Sequence, residues 1–260
     1  MTQTPIVNKK RAISIDKLLK TKFVDMHFDG NWKEALGVPE MSGTWFIWGN
    51  SSNGKTSGCL RLAKYLTKFS KVIYNTLEEG ARKSMQQAIQ RAGIKDVQRR
   101  FTLLHKEPME ELASRLQNRK SARIVFIDSF QYWGPTKKEF IRFTEQFPNH
   151  LFIFVSHAEG REPAGKVARH VRYHSDVKIF VEGYKMICES RFGGQGEIVV
   201  SEERAAKYWG EKTKQQYMPK YDETKSNGDS VAGSENRATA HSKQTGTKTK
   251  RTRQTPTEIQ

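Results

Sequence analysis

Short apolar runs alternate with stretches of helical period from about Thr44 to Val200. That alternation predicts a layered α/β domain. Strands are expected at 44–48, 71–75, 101–105, 123–128 and 151–156, and then at 177–182, 185–190 and 197–200 with no helix between these last three. Runs such as Ile124-Val125-Phe126-Ile127 are apolar at every residue, as a parallel strand covered on both faces requires. The helical stretches are equally legible. In 56–69, Cys59, Leu62, Ala63 and Leu66 fall at i, i+3, i+4 and i+7, one apolar stripe. The stretch 80–92 stops at Gly93, and 108–116 opens with Pro108 followed by Glu110 and Glu111. A further helix at 137–147 is ended by Pro148.

Residues 1–40 read as a preamble with short helices at 15–20 and around 32–36, and 41–205 as the folded domain. From Glu211 to Gln260 the chain is dominated by Lys, Thr, Gln, Ser, Asn and Gly. It has too few aliphatic residues to offset the entropy of ordering, so a disordered basic tail is expected there. No internal repeat is visible.

Composition narrows the partners. Net charge is +17 and mean hydropathy −0.74. The tail's ten Lys/Arg and six Asp/Glu account for little of that excess, so most of it lies on the folded part. A basic folded surface favours a polyanion, nucleic acid first, against a merely soluble basic protein. Two cysteines, Cys59 and Cys188, lack any metal-ligand spacing and suit a reduced, cytoplasmic setting. The first eleven residues have no apolar signal-peptide core, and the longest apolar runs are strand-sized, so no membrane span is expected.

Gly49-Asn50-Ser51-Ser52-Asn53-Gly54-Lys55-Thr56 fits G-x-x-x-x-G-K-[ST] between an expected strand and an expected helix. In that context the loop amides and the helix N-terminus form a cradle for phosphate. Lys55 is expected to reach the β- and γ-phosphates of ATP, and the Thr56 hydroxyl to ligate Mg²⁺. The alternative is a glycine-rich turn without a ligand. Asp128 closes a buried strand at its carboxyl end, where open α/β sheets bind ligands. Placed beside the loop strand it would hold Mg²⁺ through water; alone, it could simply cap a helix. Because Ser129 follows Asp128, a hydrolytic base must come from elsewhere. Glu78 and Glu79, just past the second strand, are the candidates, against a solvated acidic pair at a helix start.

The order of P-loop, strand plus Glu, strand plus Asp, and strand plus polar residue resembles the RecA-like ATPase core of the RadA and DnaB type. Tyr74-Asn75-Thr76-Leu77-Glu78-Glu79-Gly80-Ala81 is similar to the segment ending in the catalytic Glu, which by position is Glu78, with Glu79 second. Leu151–Val155 with Ser156-His157 resembles the γ-phosphate sensor, His157 replacing the usual Gln; a strand-end His is the plainer alternative. The segment from Glu159 to Gly165, His170 with Asp176, and Arg191-Phe192-Gly193 are also RadA-like.

The resemblance implies a mostly parallel central sheet flanked by helices with a C-terminal antiparallel hairpin. It also implies a homo-oligomer with ATP at the subunit interface and Arg191 acting on a neighbour's nucleotide. Glu189 stands where the RadA version has a Lys, the sequence holds no C-x-x-C of a zinc module, and neither a protease-like domain nor a DnaB-type N-terminal domain is expected. Arg191 otherwise reads as a surface hairpin residue. The two loops implied to face DNA carry Tyr132-Trp133 and the cluster Arg161, Lys166, Arg169 and Arg172. Basic residues beside aromatics suit a single strand, against core packing for the aromatics and a solvated loop for the cations. Lys248 to Arg253 in the tail would add non-specific phosphate contacts. The leading expectation is a DNA-stimulated ATPase of recombination, repair or replication, working as a filament or a hexameric helicase. A regulatory ATPase without DNA is the alternative, and a small-molecule kinase comes last.

Overall fold

A computed structural model describes residues 12–217, with side chains as far as 212. The strands are β1 (Gly43–Gly49), β2 (Val72–Thr76), β3 (Phe101–His105), β4 (Ile124–Asp128), β5 (Leu151–Glu159), β6 (Glu162–Pro163), β7 (Val177–Glu182), β8 (Lys185–Ser190) and β9 (Gln195–Val199). They form a sheet in the order β3-β2-β4-β5-β1-β7-β8-β9, with β6 paired to the end of β5. Pairing is parallel from β3 through β7 and antiparallel from β7 to β9. This is the α/β architecture expected for a RecA-like P-loop core: a mostly parallel sheet, helices on both faces and a C-terminal antiparallel hairpin.

The two-residue period of the strands sorts their side chains into two cores. Trp45, Ile47, Tyr74, Phe126, Ile153 and Val155 face α2 (Gly30–Leu36), α3 (Lys55–Leu66) and α4 (Lys83–Ala92). Phe46, Ile73, Val125, Ile127, Phe152 and Phe154 face α5 (Met109–Leu116), α6 (Phe130–Trp133), α7 (Lys137–Gln146) and α8 (Lys166–His174). Phe154 lies at the centre of the second core, with ring centroids 5.8 Å from Phe130, 5.8 Å from Trp133 and 5.4 Å from Phe140. Phe154→Ala is therefore expected to destabilise the fold by about 3–5 kcal/mol, read from urea unfolding, because several rings lose their common partner.

Four features differ from the sequence reading. Segment 130–133, expected as an aromatic loop, is the short helix α6. It is closed by Gly134 at φ +60°, and Trp133 stacks on Phe154. The cationic stretch after His157 is not a loop either. It comprises the end of β5, the short β6 and the helix α8, whose Ala168 and Val171 are buried. The last helix, α9 (Glu202–Tyr217), runs across both the domain end expected at 205 and the tail start expected at 211. Aromatic contacts explain this: Tyr208 Oη donates to Glu182 Oε1 at 3.1 Å, and Trp209 Nε1 donates to the Gly183 carbonyl at 3.2 Å. The rest of the expected tail, 218–260, with Lys248 to Arg253, lies outside the described residues. Finally, β4 does not lie beside β1, because β5 intervenes. The preamble contains α1 (Ile15–Leu19) and α2 as expected. Among the described residues no helix is long and apolar enough to cross a membrane.

Candidate functional site

The loop from Gly49 to Thr56 leaves the carboxyl end of β1 and runs into the N-terminus of α3. Two glycines are required there. A Cβ on Gly49 would sit 2.3 Å from the Val181 carbonyl oxygen of β7, and Gly54 has φ +91° with Tyr184 packed against it. The loop is braced on both flanks. Asn53 accepts the Gly183 amide on Oδ1 at 2.9 Å and the Tyr184 amide on its carbonyl at 3.1 Å. Asn50 Nδ2 donates to the Gly160 carbonyl at 3.3 Å, tying the loop to the turn between β5 and β6. Lys55 Nζ donates to the Gly49 carbonyl at 2.9 Å, which keeps the ammonium at the loop. Amides, a helix N-terminus and a cation converge here, and that is the chemistry of phosphate binding.

The intervening strand does not remove Asp128 from this site, because strand parity aims it correctly. Ile124 and Phe126 belong to the core under α3, and Asp128 continues their face. Its Oδ2 accepts from Tyr74 Oη at 2.5 Å. Burial raises the Asp128 pKa; the Tyr74 hydroxyl and Lys55 oppose that shift. Burial, then the Asp128 charge, likewise pushes the Tyr74 phenol well up. The Asp128–Ser129 peptide is cis. A buried carboxylate that lines the same cleft as a threonine at a helix start fits Mg²⁺. That ion takes one or two protein oxygens and completes its shell with phosphate and water. Among the described residues no group of three or more His, Cys, Asp or Glu could hold a metal ion.

Glu78 and His157 meet across the same cleft. Glu78 follows β2, whose extension is held by the Leu77 amide donating to the Asp128 carbonyl at 2.5 Å. Glu78 Oε2 lies 3.1 Å from His157 Nε2, and Ser129 Oγ lies 3.3 Å from the same nitrogen. Gln131 connects this pair to the scaffold: its Oε1 accepts the His157 amide at 3.2 Å and its Nε2 donates to Ser156 Oγ at 2.7 Å. Lys55, Thr56, Glu78, Glu79, Asp128 and His157 all line one cleft of about 640 Å³.

Five cleft residues were not found by reading the sequence: Ser57, Arg82, Ser84, Tyr184 and Arg204. Tyr184 sits at the tip of the β7–β8 turn with φ +61°, and Arg204 on α9 donates to its hydroxyl at 3.3 Å. A Gly-Tyr turn between two strands signals the hairpin, but nothing local says that its tip meets the P-loop.

The other expected residues lie elsewhere. Arg191 follows β8, whose end is level with the start of β1, so it stands at the opposite end of the sheet from the cleft. There Nη1 lies 3.3 Å from Asp176 Oδ1. The cationic cluster is largely paired within the chain. Arg172 bonds Glu162 and covers the Trp48 ring, Arg169 is 3.9 Å from Glu159, and Arg161 is 3.8 Å from Glu182. Lys166 opens α8 and is exposed.

No protein-family model matches this sequence, and no curated protein matches it. Solved structures do match. One is the crystal structure of flagellar accessory protein FlaH from Methanocaldococcus jannaschii, 16% identical, covering 68% of this chain and 93% of that one with a TM-score of 0.49.

Proposed function

We propose that this chain is a Mg²⁺-dependent ATPase of the RecA-like type that acts on single-stranded DNA as a homo-oligomer. The observation carrying the ATPase reading is the convergence of P-loop, Asp128 and the Glu78–His157 pair, 3.1 Å apart, in one cleft. The loop amides and Lys55 hold the β- and γ-phosphates in line. Thr56 and Asp128 would hold Mg²⁺, which supplies neutralisation of the phosphate oxygens. Glu78 takes the proton from the attacking water. His157, touching both Glu78 and Ser129, reads the γ-phosphate and passes its presence through Gln131 to Ser156. In this reading Arg191, which lies away from its own cleft, acts on a neighbour's nucleotide.

The DNA part of this reading rests on charge and on the position of α8 beyond the sensor strand. It is tested by turnover with and without single- and double-stranded DNA. The expected result is several-fold stimulation by single strands, lost in the Lys166→Ala/Arg169→Ala double variant. Indifference to every nucleic acid would overturn it in favour of a regulatory ATPase that works through protein partners. One observation favours that second reading: Ile13, Ile15, Leu18 and Leu19 around α1 are all exposed, Leu19 at 81%. An exposed apolar segment of this kind suits a protein surface.

A further inference from the structure

Beyond the cleft lies a second cavity of about 630 Å³ between α3, α4 and the start of α9. Its wall on α4 is made of Ala88 and Ala92, small residues one turn apart that leave the space open. Its charged lining is all cationic: Arg61 and Lys64 from α3, Arg91 from α4 and Arg204 from α9. No carboxylate lines it. Lys64 is paired with Asp96 just outside, at 2.7 Å. The three guanidiniums have no acidic partner among the described residues: Arg61 donates to the Val199 carbonyl, Arg204 rests on Tyr184, and Arg91 makes no recorded polar contact. Three arginines drawn into one concavity repel each other and focus a positive potential that an anion relieves. Guanidinium forks match phosphate oxygens in particular.

The cavity adjoins the P-loop cleft, since Ser57, Tyr184 and Arg204 line both. If phosphates sit on the P-loop, a nucleotide running past Ser57 towards the Tyr184 ring would bring a substituent beyond its sugar to the cationic pocket. We propose that this pocket is a second phosphate-binding site, adjoining the P-loop cradle and receiving a phosphate borne on the ribose side of the bound nucleotide. The ribose-borne placement rests on the reading of the cleft as a nucleotide site.

Calorimetric titration of the full chain with ADP, with 3′-phosphorylated ADP and with inorganic pyrophosphate tests it. The 3′-phosphorylated nucleotide is expected to bind about tenfold or more tightly than ADP, from one or two charge-assisted hydrogen bonds. Arg91→Glu should equalise the two nucleotides while leaving ADP affinity unchanged, and Arg91→Lys should retain part of the preference. Pyrophosphate added to ADP-saturated protein separates the sources. Binding that Arg91→Glu removes assigns the pocket to free phosphate; its absence alongside the nucleotide preference assigns it to the ribose phosphate. Equal affinity for both nucleotides with no pyrophosphate binding overturns the proposal, as does any preference that survives Arg91→Glu. Failure of ADP itself to bind would instead sink the reading of the cleft; pyrophosphate titrated into the nucleotide-free protein then decides the pocket, supported by binding that Arg91→Glu removes and overturned by binding that survives it or by none.

Discussion

Glu78→Gln is expected to lower ATP turnover by about 10²–10⁴-fold while leaving Mg²⁺·ATP affinity within a few-fold of the parent. The substitution is nearly isosteric, and an amide can still take the place of Glu78 opposite His157, where the carboxylate lies 3.1 Å away. What it loses is the ability to accept a proton from water. Binding is spared because the groups that face phosphate, the loop amides and Lys55, belong to a different segment, braced by Asn53 and Asn50. Single-turnover hydrolysis measured beside equilibrium nucleotide binding separates these two terms. Glu79 also lines the cleft, so Glu79→Gln is the necessary companion. A collapse in Glu79→Gln with normal turnover in Glu78→Gln would transfer the base to that residue.

Lys55→Ala is expected to weaken Mg²⁺·ATP binding by about 10–100-fold, the weight of one charge-assisted hydrogen bond of about 1.5–3 kcal/mol. The ammonium already sits within the loop, 2.9 Å from the Gly49 carbonyl, so little reorganisation stands between this position and a phosphate. Lys55→Arg should not restore binding, because a planar fork cannot replace a compact point charge in so tight a turn. Equilibrium binding with a fluorescent ATP analogue measures the loss, and an unchanged urea midpoint shows that the fold is intact. Full retention of ATP by Lys55→Ala would remove the P-loop from the account.

Much of this was legible in the sequence because its cause is local. The ranges 101–105, 177–182 and 185–190 coincide with β3, β7 and β8, since apolar periodicity bounded by turn residues is a short-range signal. The orientation of Asp128 follows from the same period, two residues beyond Phe126. The neighbour order of the strands was not legible, because the chain records when each strand occurs and not which one it lies against. Helices α8 and α9 were missed for a different reason. Their buried faces are narrow, resting on Ala168 and Val171 in one case and on contacts with the Gly183 turn in the other. Most of their positions are polar or charged, and that excess masks the stripe. Tyr184 and Arg204 enter the cleft only through tertiary contact, so no local pattern announces them.

The turn at Gly183 donates its amide to the nucleotide loop through Asn53 and accepts from Trp209 of α9 through its carbonyl. With Tyr184, which bonds Asn53 and takes a bond from Arg204, this turn joins the P-loop to α9. A shift of α9 would therefore reach the P-loop through the Gly183–Tyr184 turn, and a rearrangement of the loop around a ligand would reach α9 by the same route.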